Sequence, residues 1–194
     1  HSCNCAFAEI ALAVGREKLQ KTAERADLTT AALLDGSKTA AGTVDVLQAS
    51  DADLAWAAIG QANDLVNPCA FLRYVGAIAN EGVAVGPSMI AYSSNKTLAK
   101  SAKERLMSAE TAGKIAAMMR SNVENAYGDW HFPGWEIGAK SGTAQLDDQR
   151  SHSVFCGFTQ NESDPVAFLV VVENAGAGQG MALSVASAVL NAMR

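Results

Sequence analysis

The chain has 194 residues, of which 49% are apolar and 18% charged, and its formal net charge is −5. This composition is typical of a globular protein with a packed core and excludes a disordered chain. The acidic balance argues against nucleic acid as a partner, because phosphate binding needs a basic surface. The longest apolar run, Val166 to Val172, is the length of a strand and too short for a membrane span.

Helical patterns dominate the first two thirds of the chain. Apolar spacing predicts a largely buried helix over Cys5–Val14 that stops at Gly15, and a more polar helix over Arg16–Ala26. The segment Leu28–Ser50 has no steady period and is expected to be a loop with a short strand pair. Three later helices are predicted after capping residues, namely Asp51 to Ile59, Asn67-Pro68 to near Gly82, and a helix after Ser108 with Ile115, Met118, Met119 and Val123 inside.

The pattern changes after a turn-rich segment at Gly128–Gly134. Three strands and a closing helix are then predicted, at Trp135–Gln145, Ser153–Thr159, Val166–Val172 and Met181–Met193, the last with Leu183, Val185, Val189 and Leu190 as its apolar residues. The third strand is nearly continuously apolar, which is typical of burial on both faces. Helices followed by antiparallel strands predict an α+β fold, mostly helical over 1–127, with strands and a closing helix over 128–194.

The four cysteines do not indicate a metal site. His1, Cys3 and Cys5 lack the Cys-x-x-Cys spacing of zinc sites. We therefore expect neither a metal nor a cofactor. We interpret the four cysteines, including Cys69, and the Met118-Met119 pair as small or flexible core residues.

Two short motifs carry the functional signal. Ser2-Cys3-Asn4 opens the chain, and Lys140-Ser141-Gly142-Thr143 lies in a predicted strand. Ser-x-Asn and Lys-(Ser/Thr)-Gly are two of the three signatures of penicillin-interacting serine enzymes. The third, Ser-x-x-Lys, carries the nucleophile and would precede Ser-x-Asn. Ser93–Lys96 matches it formally, but we interpret this match as coincidental, because it follows the second motif and its surroundings are polar and basic.

With these elements placed, nearly the whole chain resembles the C-terminal part of the transpeptidase domain of class B penicillin-binding proteins. The resemblance is carried by ordered segments at His1–Phe7, Ile59–Gln61, Asn67-Pro68, Ala77–Gly82, Ala139–Gln145, His152–Phe158 and Val170–Asn174. It implies a β-lactamase/transpeptidase-like fold in which residues 1–194 are the C-terminal portion of one domain. It also implies that the nucleophile lies outside this chain, which we expect to be inactive and only marginally stable alone.

The resemblance assigns a role to each motif residue. Ser2 would pass a proton toward the leaving or incoming amine, and Asn4 would hold the substrate amide; simple helix capping is the alternative for both. Lys140 would place a positive charge where the substrate carboxylate arrives. The hydroxyls of Ser141 and Thr143 would bind that carboxylate, and the Thr143 N–H would supply half of the oxyanion hole. Gly142 would allow close approach of the substrate backbone.

The nearby aromatic and imidazole groups are interpreted as structural. The family uses no histidine base, so His152 is not expected to be catalytic. Trp130, Phe132 and Trp135 precede the Lys140 strand and are expected to pack, although they could line a substrate groove.

The implied function is that of a serine D,D-transpeptidase. Such an enzyme cross-links peptidoglycan stem peptides ending in D-Ala-D-Ala through an acyl-enzyme and is acylated by β-lactams. The parent protein would be anchored by an N-terminal helix at the outer face of the bacterial cytoplasmic membrane, and this chain would partner the upstream part of its own domain. Two alternatives stay open: a serine β-lactamase or D,D-carboxypeptidase, and a non-catalytic fragment or pseudoenzyme that acts as a binding or scaffold module.

Overall fold

The structure is a computed structural model that describes residues 2–89, 102–146, 150–161 and 163–194. Its helices and antiparallel strands give the α+β class that the sequence predicts. The chain forms two compact units, one from His1–Arg73 and Val85–Lys103 and the other from Tyr74–Ala84 and Glu104–Arg194. The segment Ser93–Lys96, which we interpret as a coincidental match, lies outside the described residues.

The first unit is mainly helical. It contains helices α1 (Asn4–Val14), α2 (Arg16–Arg25) and α3 (Asp51–Ala57), and a short antiparallel pair of strands, β1 (Leu33–Leu34) and β2 (Ser37–Lys38). These elements confirm the predicted helices and strand pair. Gly15 separates α1 from α2 with φ of +83°, a conformation that favours glycine. The small core of the unit is formed by Ala23, Val44, Val46 and Leu54.

Two predictions for this unit need correction. Ser50, not Asp51, caps α3, and its hydroxyl accepts a hydrogen bond from the Asp53 N–H at 3.1 Å. Helix α1 is not largely buried, although it contacts α2 and α3 within the unit. Its apolar residues Phe7, Ile10, Leu12 and Val14 are exposed, and Ala11 is buried.

Helix α4 (Pro68–Ala79) begins where the sequence predicts. The Asn67 side-chain oxygen accepts a hydrogen bond from the Cys69 N–H at 2.9 Å, as expected of a capping residue. The helix ends at Ala79, three residues before Gly82, which has φ of +83°. Strands β3 (Val83–Val85) and β4 (Lys103–Arg105) then form a second two-stranded sheet.

The second unit carries the main sheet. Its strands β5 (Ile137–Ala144), β6 (His152–Thr159) and β7 (Ala167–Val172) are antiparallel in the order β5-β6-β7 and confirm the predicted strands. In this register Lys140 faces Cys156. Strand β7 is only half-buried, with Val171 exposed, so the prediction of burial on both faces is wrong. Within the described residues β7 pairs with β6 alone and forms one edge of the sheet.

Two helices accompany this sheet. Helix α5 (Ala109–Asn122) is capped by Ser108, as predicted, and α6 is Met181–Ala192. The core combines aromatic and aliphatic side chains, namely Val123, Tyr127, Phe132, Trp135, Ile137, Phe155, Leu183 and Leu190. Phe132 and Trp135 therefore pack as expected, whereas Trp130 is exposed.

Some predicted core positions are exposed. Of the residues predicted to lie inside α5 and just after it, Met119 and Val123 are buried and Met118 is exposed. Among the apolar residues of α6, Leu183 and Leu190 are buried, whereas Val185 and Val189 are exposed; the small residues Ala112, Ala182 and Ala186 are buried as well. Small side chains allow helices to approach a neighbour closely, which hydropathy alone does not indicate. Of the four cysteines Cys156 is buried and Cys69 is intermediate, while Cys3 and Cys5 are exposed, contrary to the core interpretation.

Candidate active site

The Lys140–Thr143 motif lies on β5, the strand at the other edge of the main sheet in the described residues. The Lys140 ammonium donates a hydrogen bond to the Ser141 carbonyl oxygen at 2.7 Å. On β6, the Cys156 thiol donates to the Lys140 carbonyl oxygen at 3.6 Å. Burial raises the pKa of the Cys156 thiol to about 11, and the positive charge of Lys140 acts in the opposite direction. This thiol therefore stays neutral beside the lysine at physiological pH.

Ser141 is held by a residue that the sequence analysis did not single out. The Ser141 N–H donates to the Tyr127 hydroxyl oxygen at 2.9 Å, and the Tyr127 hydroxyl donates to Ser141 Oγ at 3.0 Å. Tyr127 ends a π-helical turn, Val123–Tyr127, that follows directly on α5. Its ring is buried and meets Phe155 edge-on, with a centroid distance of 5.3 Å.

Side chains from α5 bond the same edge of β5 at two further positions. Arg120 Nη1 donates to the Ile137 carbonyl oxygen at 3.0 Å, and Asn122 Nδ2 donates to the Ala139 carbonyl oxygen at 3.3 Å. Alternate residues of a strand direct their backbone polar groups to the same side. Positions 137, 139 and 141 therefore form one bonded row that fixes the edge of the strand leading to the motif.

The second half of the motif is held by the glycine-rich loop before α6. The Gly178 N–H donates to Thr143 Oγ1 at 3.1 Å. A Cβ atom on Gly178 would lie 2.1 Å from the Gly142 carbonyl oxygen, so only glycine fits at this close approach. At Gly142 a Cβ atom would lie 3.3 Å from Val154 Cβ on β6, a tight contact. The neighbouring strand therefore already favours a small residue at position 142.

Ser2 and Asn4 lie in the first unit, whereas the β5 motif lies in the second. Asn4 is the first residue of α1, Cys3 is its N-cap, and no side chain caps the helix. Both motif side chains are exposed, and neither makes a hydrogen bond to another described residue. The capping alternative is therefore not supported, and both polar groups point to solvent.

His152 fits its structural interpretation. Its Nδ1 accepts a hydrogen bond from the Asn174 N–H at 3.0 Å, which ties the start of β6 to the segment after β7. In the described part of the chain, no group of three or more histidine, cysteine or acidic side chains could hold a metal ion. No described helix is long and apolar enough to cross a membrane.

The residues that support the motif were missed for physical reasons. The position of Tyr127 depends on a π-helical turn, for which the sequence carries no periodic signal. The loop Ala175–Gly180 is rich in glycine, but nothing in its sequence indicates that Gly178 meets Thr143.

Comparison with known proteins decides the family. The model of the penicillin binding protein transpeptidase domain matches residues 1–193. The chain belongs to this family. The curated relatives include the peptidoglycan D,D-transpeptidases PbpA of Mycobacterium tuberculosis, 26% identical over 98% of this chain, and of Mycolicibacterium smegmatis, 26% identical over 90%. The chain spans 42% and 38% of their respective lengths.

Solved structures agree with this assignment. The ceftriaxone acyl-enzyme complex of penicillin-binding protein A from M. tuberculosis matches with a TM-score of 0.87 and 25% identity, covering 98% of this chain and 46% of that one. The imipenem acyl-enzyme complex of the same protein gives a TM-score of 0.86 with 27% identity, over 99% and 45%. The fold is thus that of a penicillin-binding protein transpeptidase domain.

Proposed function

We propose that this chain is the C-terminal portion of the transpeptidase domain of a serine D,D-transpeptidase. The parent protein would cross-link peptidoglycan stem peptides ending in D-Ala-D-Ala through an acyl-enzyme, and β-lactams would acylate the same nucleophile. Family membership over residues 1–193 supports the reaction class. The observation that carries the proposal is the motif strand itself, in which both hydroxyls accept hydrogen bonds from the protein, Ser141 from Tyr127 and Thr143 from Gly178.

The β5 motif would bind the acyl donor. The Lys140 ammonium supplies the positive charge that attracts the terminal carboxylate of the donor peptide. Ser141 and Thr143 donate hydrogen bonds to that carboxylate, and the Thr143 N–H stabilises the oxyanion that forms during acylation. The extended peptide lies along β5 beyond Ser141, because side chains already bond the edge at positions 137, 139 and 141, and Gly142 permits its close approach. No cofactor takes part.

The Ser-x-Asn motif would handle the amine and the amide. The Ser2 hydroxyl, which both donates and accepts, carries a proton to the leaving D-Ala amine and from the incoming acceptor amine. The Asn4 carboxamide holds the amide of the substrate. Both side chains are exposed and uncommitted to other described residues, as such roles require. The nucleophile and its lysine come from a Ser-x-x-Lys segment of the same domain outside this chain.

The parent protein would work at the outer face of the bacterial cytoplasmic membrane, held by an N-terminal helix outside this chain. The upstream part of the domain would be the first partner of this chain. It would supply the nucleophile and the stability that we expect the isolated chain to lack.

The test is a transpeptidation assay on the parent protein. A donor peptide ending in D-Ala-D-Ala is mixed with an amine acceptor, and mass spectrometry follows both D-Ala release and acceptor incorporation. Lys140→Ala should lower donor acylation by about 100-fold or more, since it removes a charge-assisted contact. Lys21→Ala on the exposed face of α2 is the matched control and should leave the rate unchanged.

The products separate this proposal from its alternatives. Release of D-Ala without acceptor incorporation would identify a D,D-carboxypeptidase. Fast turnover of nitrocefin would identify a β-lactamase. No acylation by peptide or β-lactam in the folded parent protein would favour a non-catalytic module.

A further inference from the structure

Tyr127, a residue outside the Lys140–Thr143 motif, makes two hydrogen bonds to Ser141 within it. Its hydroxyl oxygen accepts from the Ser141 N–H at 2.9 Å, and its hydrogen is donated to Ser141 Oγ at 3.0 Å. The two bonds join one side chain to both the backbone and the side chain of the same residue. A hydroxyl placed in this way fixes the position of Ser141 Oγ and the direction of its lone pairs.

The donor direction of the second bond has a chemical consequence. Ser141 Oγ accepts from Tyr127 and donates to none of the residues that the structure describes. Its own hydrogen is therefore available to a further acceptor. A carboxylate accepts hydrogen bonds and donates none when ionised, so it is the partner that this arrangement favours.

The local fold holds Tyr127 rigidly enough for this task. Tyr127 is only 7% exposed, and its ring packs edge-on against Phe155, whose side chain is fully buried. The π-helical turn Val123–Tyr127 follows α5 without a break and closes with the Gly128 N–H donating to the Val123 carbonyl oxygen at 2.7 Å. Such turns are rare overall, but those that occur often lie at functional sites. The extra residue shifts the following side chain around the helix axis.

We propose that Tyr127 is a positioning residue for acyl-donor recognition, which holds the Ser141 hydroxyl as a hydrogen-bond donor for the carboxylate of the peptide or β-lactam. The inference rests on the proposed function and adds to it a residue outside the sequence motifs. Tyr127 does not touch the ligand in this scheme; it acts through Ser141.

The experiment uses the parent protein and two probes that differ only in the carboxylate, benzylpenicillin and its methyl ester. The second-order rate constant of acylation is measured for wild type and Tyr127→Phe, which keeps the buried ring. We expect Tyr127→Phe to slow acylation by the acid about tenfold, because Ser141 loses the hydrogen bond that orients its hydroxyl toward the charged carboxylate. Acylation by the ester should change less than about twofold, since its carbonyl offers a weaker, uncharged acceptor.

A double-mutant cycle tests that the effect passes through Ser141. Ser141→Ala should lose the same acid-over-ester preference, and adding Tyr127→Phe to it should cost nothing further. The matched control is Tyr74→Phe in the same unit, which removes a half-buried hydroxyl away from β5 and should leave both rates unchanged. If Tyr127→Phe does not fold, 3-fluorotyrosine at position 127 keeps the shape and strengthens the donor. It should raise the acid rate and leave the ester rate unchanged.

The outcomes distinguish the two proposals. Equal losses for the acid and the ester, or additive losses in the Ser141→Ala background, would show that Tyr127 only supports the fold and would overturn the inference while the proposed function stands. An unchanged acid rate in Tyr127→Phe would also overturn it. A wild-type protein that neither probe acylates would overturn the proposed function and this inference together.

Discussion

Arg120 offers the sharpest test of how the edge of β5 is stabilised. Its guanidinium forms two hydrogen bonds to the Asp129 carboxylate, at 2.7 and 2.6 Å, and a third to the Ile137 carbonyl oxygen at 3.0 Å. Its Nε lies 3.3 Å from Glu124 in a contact that is ionic only, since this nitrogen makes no hydrogen bond among the described residues. Replacing Arg120 by Met removes all of these contacts and keeps the aliphatic stem.

The burial of the partners decides which contact matters most. The Asp129 side chain is 50% exposed, whereas Ile137 is fully buried. A half-exposed ion pair contributes about 0.5–1 kcal/mol. A buried carbonyl left without a donor costs about 1–3 kcal/mol. Arg120→Met should therefore lower the free energy of unfolding of this region by about 1.5–4 kcal/mol, and Asp129→Asn by about 0.5–1 kcal/mol.

Native-state hydrogen exchange of the parent protein measures this difference on peptides that cover 137–144. Lys114→Met is the matched control, because Lys114 forms an exposed pair with Glu110 on the same helix. It should change the free energy by less than about 0.5 kcal/mol. A loss in Asp129→Asn as large as that in Arg120→Met would refute the reasoning, since the exposed pair would then outweigh the buried carbonyl.

The same pair predicts a pH dependence with a definite sign. The hydrogen bonds and charge of Arg120 hold the pKa of the Asp129 carboxyl below its ordinary value of 3.8. A lowered pKa in the folded state means that this stabilisation is present above pH 3.8 and is lost as the pH falls through the lower folded value. The difference between wild type and Asp129→Asn should therefore disappear at strongly acidic pH, and a difference that persists there would contradict it.

The remaining predictions concern three buried or half-buried groups. Ser153→Ala removes an acceptor for the Ala182 N–H at 3.1 Å and a donor to the Ala177 carbonyl oxygen at 2.9 Å. It should cost about 2–3 kcal/mol, seen as faster amide exchange at the start of α6, and an unchanged rate would contradict this. In the folded parent protein Cys156 should resist iodoacetamide at pH 8 and react once the protein is unfolded in denaturant, because burial raises the pKa of Cys156 to about 11; labelling of native Cys156 would contradict it. Burial raises the pKa of Asp64 from 3.8 to about 6, so the free energy of unfolding of the wild type should fall by about 1 kcal/mol between pH 4 and pH 7, after allowance for solvent screening. Asp64→Asn should remove this pH dependence, and an equal dependence in the variant would exclude Asp64 as its source.

Local signals predicted much of the fold. The caps Asn67 and Ser108 define helix starts in the structure as they do in the sequence, because side-chain oxygens bind nearby backbone N–H groups wherever the chain goes next. The strand that carries Lys140 was predicted over Trp135–Gln145 and is present at Ile137–Ala144.

Properties that depend on distant neighbours were predicted less well. The apolar spacing of α1 marks it as a helix but does not reveal which element covers each face, so the exposure of Phe7 and Ile10 was missed. In α5, Met118 was predicted to lie inside but is exposed, whereas Met119 and the small Ala112 are buried. Tyr127 was missed because its reach to Ser141 requires a π-helical turn, which shifts the residue out of the α-helical period.

The sequence identified the motif residues of the candidate site but not the residues that hold them in place, Tyr127 and Gly178. Lys140, Ser141, Gly142 and Thr143 were identified by their order on a strand, and the structure adds the groups that hold them. The roles of these residues, and those of Ser2 and Asn4, stay predictions until ligand binding is measured.

The measurement that tests the account most directly is the intact mass of the parent protein after incubation with benzylpenicillin, followed by peptide mapping of the adduct. The account predicts one stoichiometric adduct on a serine of a Ser-x-x-Lys segment outside residues 1–194, and its loss or marked slowing in Lys140→Ala. An adduct on Ser93 would contradict the interpretation of that match as coincidental. The absence of any adduct in the folded parent protein would contradict the proposed enzyme function.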